Sequence, residues 1–406
     1  MVQNSSSSIE DYILYDHQNT SVIFERLQDY MMSPNISLDI LEEVHIKLQA
    51  ILSSQEGQDF INEDTTDLFR THKLQRNLKL YLSPILLVIG LIGNTLSFVF
   101  LRYDKEKKMS INAYLSALAL ADIMVLISGL LSLWVQEVTG VDFFRSVDIS
   151  CKVWNVIAFT SSIFSVWLIV AITAERFIVV CFPLAAHRIC NKNRAIGIIV
   201  FLLVFSVCFN AHFLVTTGIV NIGSSRLCDA LDGYKTFIRK VWTWVDATMY
   251  CFFPLFIISA LNTVIISKVI TATKKRRNLQ HLKRSTSVGL KQRQRRDIKL
   301  NVMLLTVSIT FCISSTPMVI LMVTEVLFQK NASPRKSAAL LLARTICELL
   351  MYVNHSINFF LYCISGQSFT KIFMKLISCR GRYHSLSQYS FRRRSNVIIT
   401  SKDTGF

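Results

Sequence analysis

Residues 151–176 read CKVWNVIAFTSSIFSVWLIVAITAER, an almost wholly apolar stretch between a cysteine and an acid–base pair. A helix rises about 1.5 Å per residue, so the two ends of this stretch would lie ~37 Å apart. That length slightly exceeds the ~30 Å hydrocarbon core of a bilayer. We therefore predict a membrane-spanning helix with Cys151 at one face and with Glu175 and Arg176 at the other. A simple anchor helix would explain this stretch alone, so the rest of the chain must decide.

The composition is that of a membrane protein. Hydrophobic residues make up 51% of the 406 and charged residues only 17%, whereas soluble domains carry about 25% charged residues. The chain opens with polar residues rather than a secretory signal peptide, so we expect the first long apolar segment to direct insertion. Residues 1–69 hold thirteen of the 27 acids, although the whole chain has a formal charge of +17. The bases cluster between apolar runs, which predicts cytoplasmic loops and makes nucleic acid an unexpected partner.

Seven apolar runs follow the acidic tail, and each reaches the roughly 20 residues that a spanning helix needs. They lie near 80–102, 112–133, 150–180, 195–217, 240–269, 298–327 and 339–363. We predict an all-α membrane protein with a seven-transmembrane helix bundle over 80–363. An acidic extracellular tail precedes the bundle over 1–79, because the loops after the first, third and fifth runs are basic. A short amphipathic helix at 367–378 would lie in the membrane interface, followed by a cytoplasmic tail over 379–406.

The predicted topology assigns several covalent sites. Three Asn-x-Ser/Thr sequons predict a glycosylated extracellular tail, at Asn4, Asn19 and Asn35. Cys379, after the amphipathic segment, is a candidate for palmitoylation, although an ordinary reduced thiol fits equally well. Cys151 and Cys228 both map to the outer face, where cysteines can be oxidised, and we predict that they form a disulfide.

A charged residue lies in the middle of the second apolar run, where it costs about 2.5–3.5 kcal/mol to insert. This residue is Asp122, and other runs supply oxygen-bearing side chains at Asn94, Ser165, Asn354 and Asn358. A small hard cation prefers such oxygen ligands, so a cation site is one interpretation. The alternative is a hydrogen-bonded cluster that joins helices without an ion.

A second charged group lies at the inner face, where Arg176 follows Glu175 and Asp297 opens the sixth run. A guanidinium is permanently charged and forked, so Arg176 can bridge both carboxylates and hold two helices together. Pro254 and Pro317 fall within spans and predict bends there, because each proline frees a backbone carbonyl.

These motifs stand in an order that resembles the rhodopsin-like (class A) G-protein-coupled receptors over about residues 80–378. The resemblance is carried by Gly93-Asn94, the Leu-Ala-x-x-x-Asp pattern ending at Asp122, Cys151, Glu175-Arg176-Phe177, Pro254, Pro317 and the NFFLY sequence at 358–362. Within that family, Leu261-Asn262-Thr263 and Asn358-Phe359 look similar to invertebrate receptors for FMRFamide-type neuropeptides.

The resemblance implies a plasma-membrane receptor that passes extracellular ligand binding to a heterotrimeric G protein, with arrestin and receptor kinases as further partners. No cofactor is implied beyond an allosteric sodium ion, held by Asp122, Ser165, Asn354 and Asn358. Arg176 would engage the G protein, Asp297 would restrain it at rest, and Tyr362 would support the open state. Signalling would then be a population shift between two packings of the bundle.

The chain departs from the family pattern at its switch positions. Ser314-Ser315-Thr316-Pro317 lacks the usual tryptophan of the sixth span. Phe359 replaces the usual proline of the seventh span, and Leu203 stands near the customary tryptophan of the fourth. These departures argue against a tryptophan-driven switch and leave the fold prediction unchanged.

Two positions narrow the class of ligand. Ala158 stands seven residues after Cys151, where receptors for biogenic amines place an aspartate. Tyr352 stands where the retinal lysine of a photoreceptor would be. A peptide fits better, since the acidic tail would attract a cationic ligand and acids in the outer halves of the spans could pair with its arginine. The candidate ligand contacts are the acids Asp246, Glu325 and Glu348 and the apolar walls Phe159, Met318, Met322 and Tyr352.

Other interpretations remain open for these residues and for the chain. Each acid would equally serve as a loop-edge carboxylate beside Lys or Arg, and the apolar residues would equally pack helices or touch membrane lipid. A receptor for a non-peptide ligand such as a lipid is the main alternative. A transporter would show inverted repeats and several midplane charges. No enzyme motif is present, and His212 and His355 read as isolated histidines.

Overall fold

The computed structural model describes residues 63–103, 110–222, 225–280, 288–328 and 334–365. Within the long helices, side chains are described for 70–102, 110–181, 192–216, 232–272, 304–324 and 338–363. The described chain is a bundle of long helices: α1 Glu63–Tyr103, α2 Ser110–Thr139, α3 Asp148–Cys181, α4 Lys192–Asn210, α5 237–280, α6 Val288–Phe328 and α7 Pro334–Ser365. Short helices at Pro183–Ile189 and Phe213–Thr216 flank α4. The predicted all-α bundle is confirmed.

Within the described residues, six helices, α1 to α6, are long and apolar enough to cross a membrane. The 32-residue α7 packs against both α1 and α6 and completes the bundle. The predicted amphipathic segment 367–378 and the tail 379–406 lie outside the described residues. The three sequons and Cys379 also lie outside them and stay predictions.

Two helices begin earlier than their apolar runs predicted. Helix α1 begins at Glu63 rather than at residue 80, so its first turns lie within the segment 1–79 that the sequence assigns to the tail. Helix α6 begins at Val288 rather than at 298, which places Asp297 inside the helix instead of at its start. Both differences have the same cause, because hydropathy reports the apolar part of a helix and not its polar continuation.

The early turns of α1 are held by contacts with the end of α2. Arg76 Nε and Lys79 Nζ lie 3.8 and 3.9 Å from the carboxylate of Glu137. His72 and Gln75, on the same turns, are buried. These contacts explain why basic residues stand beside the first span, at the end opposite the basic loops.

Three tryptophans donate to carbonyls at places where the regular i→i−4 helix pattern is interrupted. Pro84 has no N–H to bond the carbonyl of Leu80, and the indole of Trp134 donates to that carbonyl at 3.1 Å. Trp154 donates at 3.0 Å to Ser128, inside the π-turn Leu126–Leu131 of α2. Trp167 likewise donates at 3.1 Å to Met249, inside the π-turn Thr248–Phe252 of α5. Each bond satisfies a carbonyl that lost its regular partner and joins two helices.

A β-hairpin joins α4 to α5 and is fixed to the start of α3. Its strands, β1 Thr217–Ile222 and β2 Ser225–Ala230, pair antiparallel with Ile219 opposite Cys228. The predicted disulfide between Cys151 and Cys228 is confirmed, with Cα atoms 5.6 Å apart. The Asp148 carboxylate also accepts a hydrogen bond from the backbone N–H of Ile219 at 3.1 Å. We call this end of the bundle the Cys151 end and the opposite end the Arg176 end.

Among the described residues, a large hydrophobic core lies where α2, α3 and α6 meet. Leu118 of α2, Ile169 of α3 and Phe311 of α6 are almost completely buried in it. Tyr362 of α7 is 1% exposed and packs into the same core. This packing sets the relative positions of the helices that carry the buried polar side chains.

Candidate functional site

The buried carboxylate of Asp122 is the centre of a polar cluster in the bundle. Its Oδ1 accepts from Ser165 Oγ at 2.7 Å, and its Oδ2 accepts from Asn358 Nδ2 at 2.6 Å. Ser165 lies on α3 and Asn358 on α7, so one carboxylate on α2 joins three helices. Sequence analysis predicted these three residues as neighbours, and the structure brings them together.

A histidine that sequence analysis took as isolated completes the cluster. His355 Nδ1 lies 2.8 Å from Asp122 Oδ1, and the ring is 1% exposed. A carboxylate oxygen only accepts, so Nδ1 bears the hydrogen of this bond. We call Asp122, Ser165, His355 and Asn358 the Asp122 cluster. The interpretation of His355 as isolated was wrong, because the packing of α7 against α2 turns its ring towards the carboxylate.

The donor set does not fit the sodium ion that the resemblance implies. Both oxygens of Asp122 already accept hydrogen bonds, and Oδ1 accepts two. The hydrogen on the His355 ring points at the oxygen that a cation would bind. Asn354, the fourth predicted ligand, is buried and its Oδ1 has no hydrogen-bond partner among the described residues, so oxygen ligands are present but the carboxylate is occupied.

The outer nitrogen of the same imidazole faces α5. His355 Nε2 lies 3.4 Å from the hydroxyl of Tyr250, which precedes Pro254 by one turn. Since Nδ1 bonds Asp122, the single ring of His355 connects α5 with α2 through α7. The sixth-span position where the family carries tryptophan is Ser315, which is buried.

A second polar group lies at the Arg176 end. Glu175 Oε1 accepts from Ser110 Oγ at 2.6 Å and lies 3.4 Å from Arg176 Nη2. Ser110 is the first residue of α2, so Glu175 ties the end of α3 to the start of α2. Burial and the nearby Glu175 carboxylate raise the pKa of the Cys190 thiol, which places that residue beside the pair. The side chain of Asp297 lies outside the described side chains, so its bridge to Arg176 stays a prediction.

One turn before this pair, α3 also contacts α6. The hydroxyls of Thr173 and Ser308 lie 2.9 Å apart, and both side chains are buried. Each hydroxyl also lies within hydrogen-bond distance of a carbonyl of its own helix, Ile169 for Thr173 and Leu304 for Ser308. Because a hydroxyl has one hydrogen, one of the two donates to its own helix and the other donates across the contact. The contact joins α3 to α6 close to Arg176.

Four polar side chains form a layer between the Asp122 cluster and the Cys151 end. We call them the polar layer: Asp246 and Tyr250 on α5, and Glu348 and Tyr352 on α7. Tyr250 lies within electrostatic range of Asp246 and Tyr352, and Tyr352 lies within range of Glu348. Among the described residues, Asp246 makes no side-chain hydrogen bond or ion pair, although it is half-buried. The layer therefore presents a carboxylate that a cationic ligand group can neutralise.

The other predicted ligand contacts are distributed more widely. Tyr352 packs over Gly129, where an added Cβ would lie 2.5 Å from its hydroxyl. The ring of Phe159, on α3, lies 4.5 Å from the ring of Phe213 and so packs against the short helix that follows α4. Met318 and Met322 are half-buried on α6, and Glu325 lies outside the described side chains.

Sequence reasoning missed His355, Tyr250 and Ser110 as members of these sites. His355 precedes Asn358 by three residues, a spacing that places both on one face of a helix, so this signal was available. Tyr250 and Ser110 carry no comparable signal, because their roles depend on how neighbouring helices are rotated.

The chain is similar to known proteins over most of its length. Residues 93–362 match the family described as 7 transmembrane receptor (rhodopsin family). The FMRFamide receptor of Drosophila melanogaster is 28% identical over 305 residues, which cover 71% of this chain and 51% of that receptor. Growth hormone secretagogue receptor type 1 is 23% identical in Mus musculus, over 85% of this chain and 92% of the relative. The Rattus norvegicus form is 24% identical over 75% and 80%. The chain thus spans about half the length of the FMRFamide receptor and most of the other two.

Proposed function

The chain belongs to the rhodopsin family of seven-transmembrane receptors, and from this premise we propose that it is a plasma-membrane receptor for a neuropeptide. Members of this family are multi-pass membrane proteins that couple an extracellular ligand to a G protein, and they are signalling receptors rather than enzymes. The proposal places residues 1–62 and the Cys151 end outside the cell. It also places the Arg176 end towards the G protein.

The observation that carries the proposal is the half-buried carboxylate of Asp246 in the polar layer. Burying a charge without a partner is costly, so a ligand that supplies a guanidinium there binds favourably. The name FMRFamide, carried by one relative, spells an amidated peptide with one arginine. An amidated, arginine-containing peptide matches this carboxylate, and Glu348 is a second acid of the polar layer.

Activation follows from the same geometry. A peptide that draws Asp246 towards its arginine pulls on Tyr250, one turn further along α5, and therefore on His355. The Asp122 cluster then adjusts, and the contact between Thr173 and Ser308 opens. An agonist produces this shift only to the extent that it binds the open packing more tightly.

A peptide screen tests the proposal directly. Cells that express the chain would be exposed to amidated peptides, with FMRFamide included, and assayed for calcium and cyclic-nucleotide responses. We expect an arginine-containing peptide to activate, with its citrulline analogue weaker by about 10–100-fold, as loss of a hydrogen-bonded charge pair predicts. The Asp246→Asn variant should weaken the arginine peptide and leave the citrulline analogue unchanged.

The control acid is Glu137, which lies at the same end but already faces Arg76 and Lys79. Its Gln variant should respond to both peptides like the unmodified chain. A response to lipids and to no peptide would instead favour the non-peptide alternative. A ligand affinity that is the same with and without guanine nucleotide would contradict coupling to a G protein.

A further inference from the structure

We propose that the imidazole of His355 takes the place of the monovalent cation at Asp122, so that this receptor is insensitive to sodium at that site. The inference concerns the interior of the bundle and does not depend on the identity of the ligand. It rests on three observations: the occupancy of the carboxylate, the direction of the imidazole N–H, and the oxygens that the imidazole leaves without a partner.

The carboxylate of Asp122 is fully engaged by protein donors. It is 0% exposed and accepts from α3 and from two residues of α7, at distances of 2.6–2.8 Å. Hydrogen bonds to an ionised acceptor are about twice as strong as neutral ones, so this arrangement stabilises the buried charge. The bonds also join α2 to α3 and α7, as a shared cation would.

The imidazole opposes a cation in the same place. A sodium ion needs the carboxylate oxygen as a ligand, and hard cations take oxygen rather than N–H groups around them. The hydrogen on Nδ1 carries partial positive charge and is directed at Oδ1. The far side of the ring is held by Tyr250 at 3.4 Å, and the backbone carbonyl of His355 accepts from Asn94 at 2.8 Å, so contacts at both ends keep the ring in place.

Several buried amide oxygens would be available to a cation if the imidazole were removed. The Oδ1 atoms of Asn94, Asn354 and Asn358 are buried and have no hydrogen-bond partner among the described residues. Amide oxygens, the hydroxyl of Ser165 and a freed carboxylate are the types of ligand that a small cation prefers. Replacing His355 with a short residue should therefore create a sodium site that the native chain lacks.

The test needs no ligand. The purified full-length receptor is unfolded by heat in detergent at fixed pH and ionic strength, in sodium chloride or in choline chloride, and exposure of its buried thiols is followed. We expect the same midpoint in both salts for the native chain. For His355→Ser we expect sodium to raise the midpoint saturably, on the order of 2–4 °C, because a bound ion stabilises only the folded state.

Three further variants separate a site from general disturbance. His355→Gln keeps an N–H donor and should stay insensitive, whereas His355→Ala should gain sensitivity like the serine variant. Adding Asp122→Asn to His355→Ser should abolish the gain. A sodium-specific rise in the native chain overturns the proposal, and so does equal behaviour of the two salts in both the serine and the alanine variants.

Discussion

The hydroxyl of Tyr250 lies 3.4 Å from Nε2 of His355, while Nδ1 of the same ring lies 2.8 Å from Asp122. A side chain on α5 is thereby connected to the buried carboxylate on α2 through one imidazole on α7. Asp246 precedes Tyr250 by one helical turn, so the connection starts next to the proposed ligand carboxylate. The chain has serine where its family carries the sixth-span tryptophan, and in the proposed activation this contact connects the ligand carboxylate to the Asp122 cluster.

Tyr250→Phe should raise ligand-free nucleotide exchange about two- to threefold. The ring and its packing stay, but the long hydrogen bond to His355 is lost, and a bond at the weak end of the range contributes about 0.5 kcal/mol. Exchange of guanine nucleotide on membranes with added G protein measures the effect. If basal exchange is unchanged while agonist potency is also unchanged, the contact does not couple α5 to the cluster.

Thr173→Val should also raise basal exchange, by about two- to tenfold. The substitution keeps the shape of the side chain and removes the bond to Ser308 that joins α3 to α6, worth about 0.5–1.5 kcal/mol. In the variant Ser308 can donate to the carbonyl of Leu304, so no buried donor is left unsatisfied. The same assay with Thr173→Val, Ser308→Ala and the double variant forms a cycle. Additive effects across that cycle would show that the two hydroxyls act independently.

Ser110→Ala should loosen the acid–base pair at the Arg176 end and raise basal exchange by about 10- to 100-fold. The 2.6 Å bond from Ser110 to the Glu175 carboxylate is charge-assisted, a class worth about 1.5–3 kcal/mol when buried. Ser116→Ala is the matched control, because Ser116 lies on the same helix and donates only to the carbonyl of Asn112. A similar rise in both variants would assign the effect to α2 in general rather than to Glu175.

The features that could be predicted from sequence are those in which the environment of a single residue restricts its chemistry. A carboxylate inside an apolar run must find partners, so Asp122 predicted a cluster with Ser165 and Asn358, and the structure has it. Cysteines on the oxidising face predicted the disulfide between Cys151 and Cys228 in the same way. In each case the constraint acts on the residue itself and is visible without knowing how the helices are rotated.

The features that sequence missed depend on the relative rotation and length of helices. Whether Tyr250 faces His355 depends on how α5 and α7 are turned, which periodicity in a uniformly apolar helix does not report. The start of α1 at Glu63 does not follow from hydropathy because the residues before the apolar run are polar, and Arg76 and Lys79 among them contact Glu137 of α2. The role of His355 could have been predicted, because its spacing from Asn358 places both side chains on one face of α7.

Pro84 of α1 and Trp134 of α2 allow a test of whether a side-chain hydrogen bond compensates for a missing backbone donor. Pro84 leaves the carbonyl of Leu80 without its regular partner, and Trp134 supplies the missing donor at 3.1 Å. Trp134→Phe should therefore lower stability by about 1 kcal/mol, since the carbonyl of Leu80 is only partly buried and loses its donor. Pro84→Ala restores the backbone N–H, so the tryptophan substitution should cost much less in that background. Thermal unfolding of the four proteins measures the coupling. Equal losses with and without the proline would show that Trp134 contributes packing alone, and that the freed carbonyl is satisfied by other means.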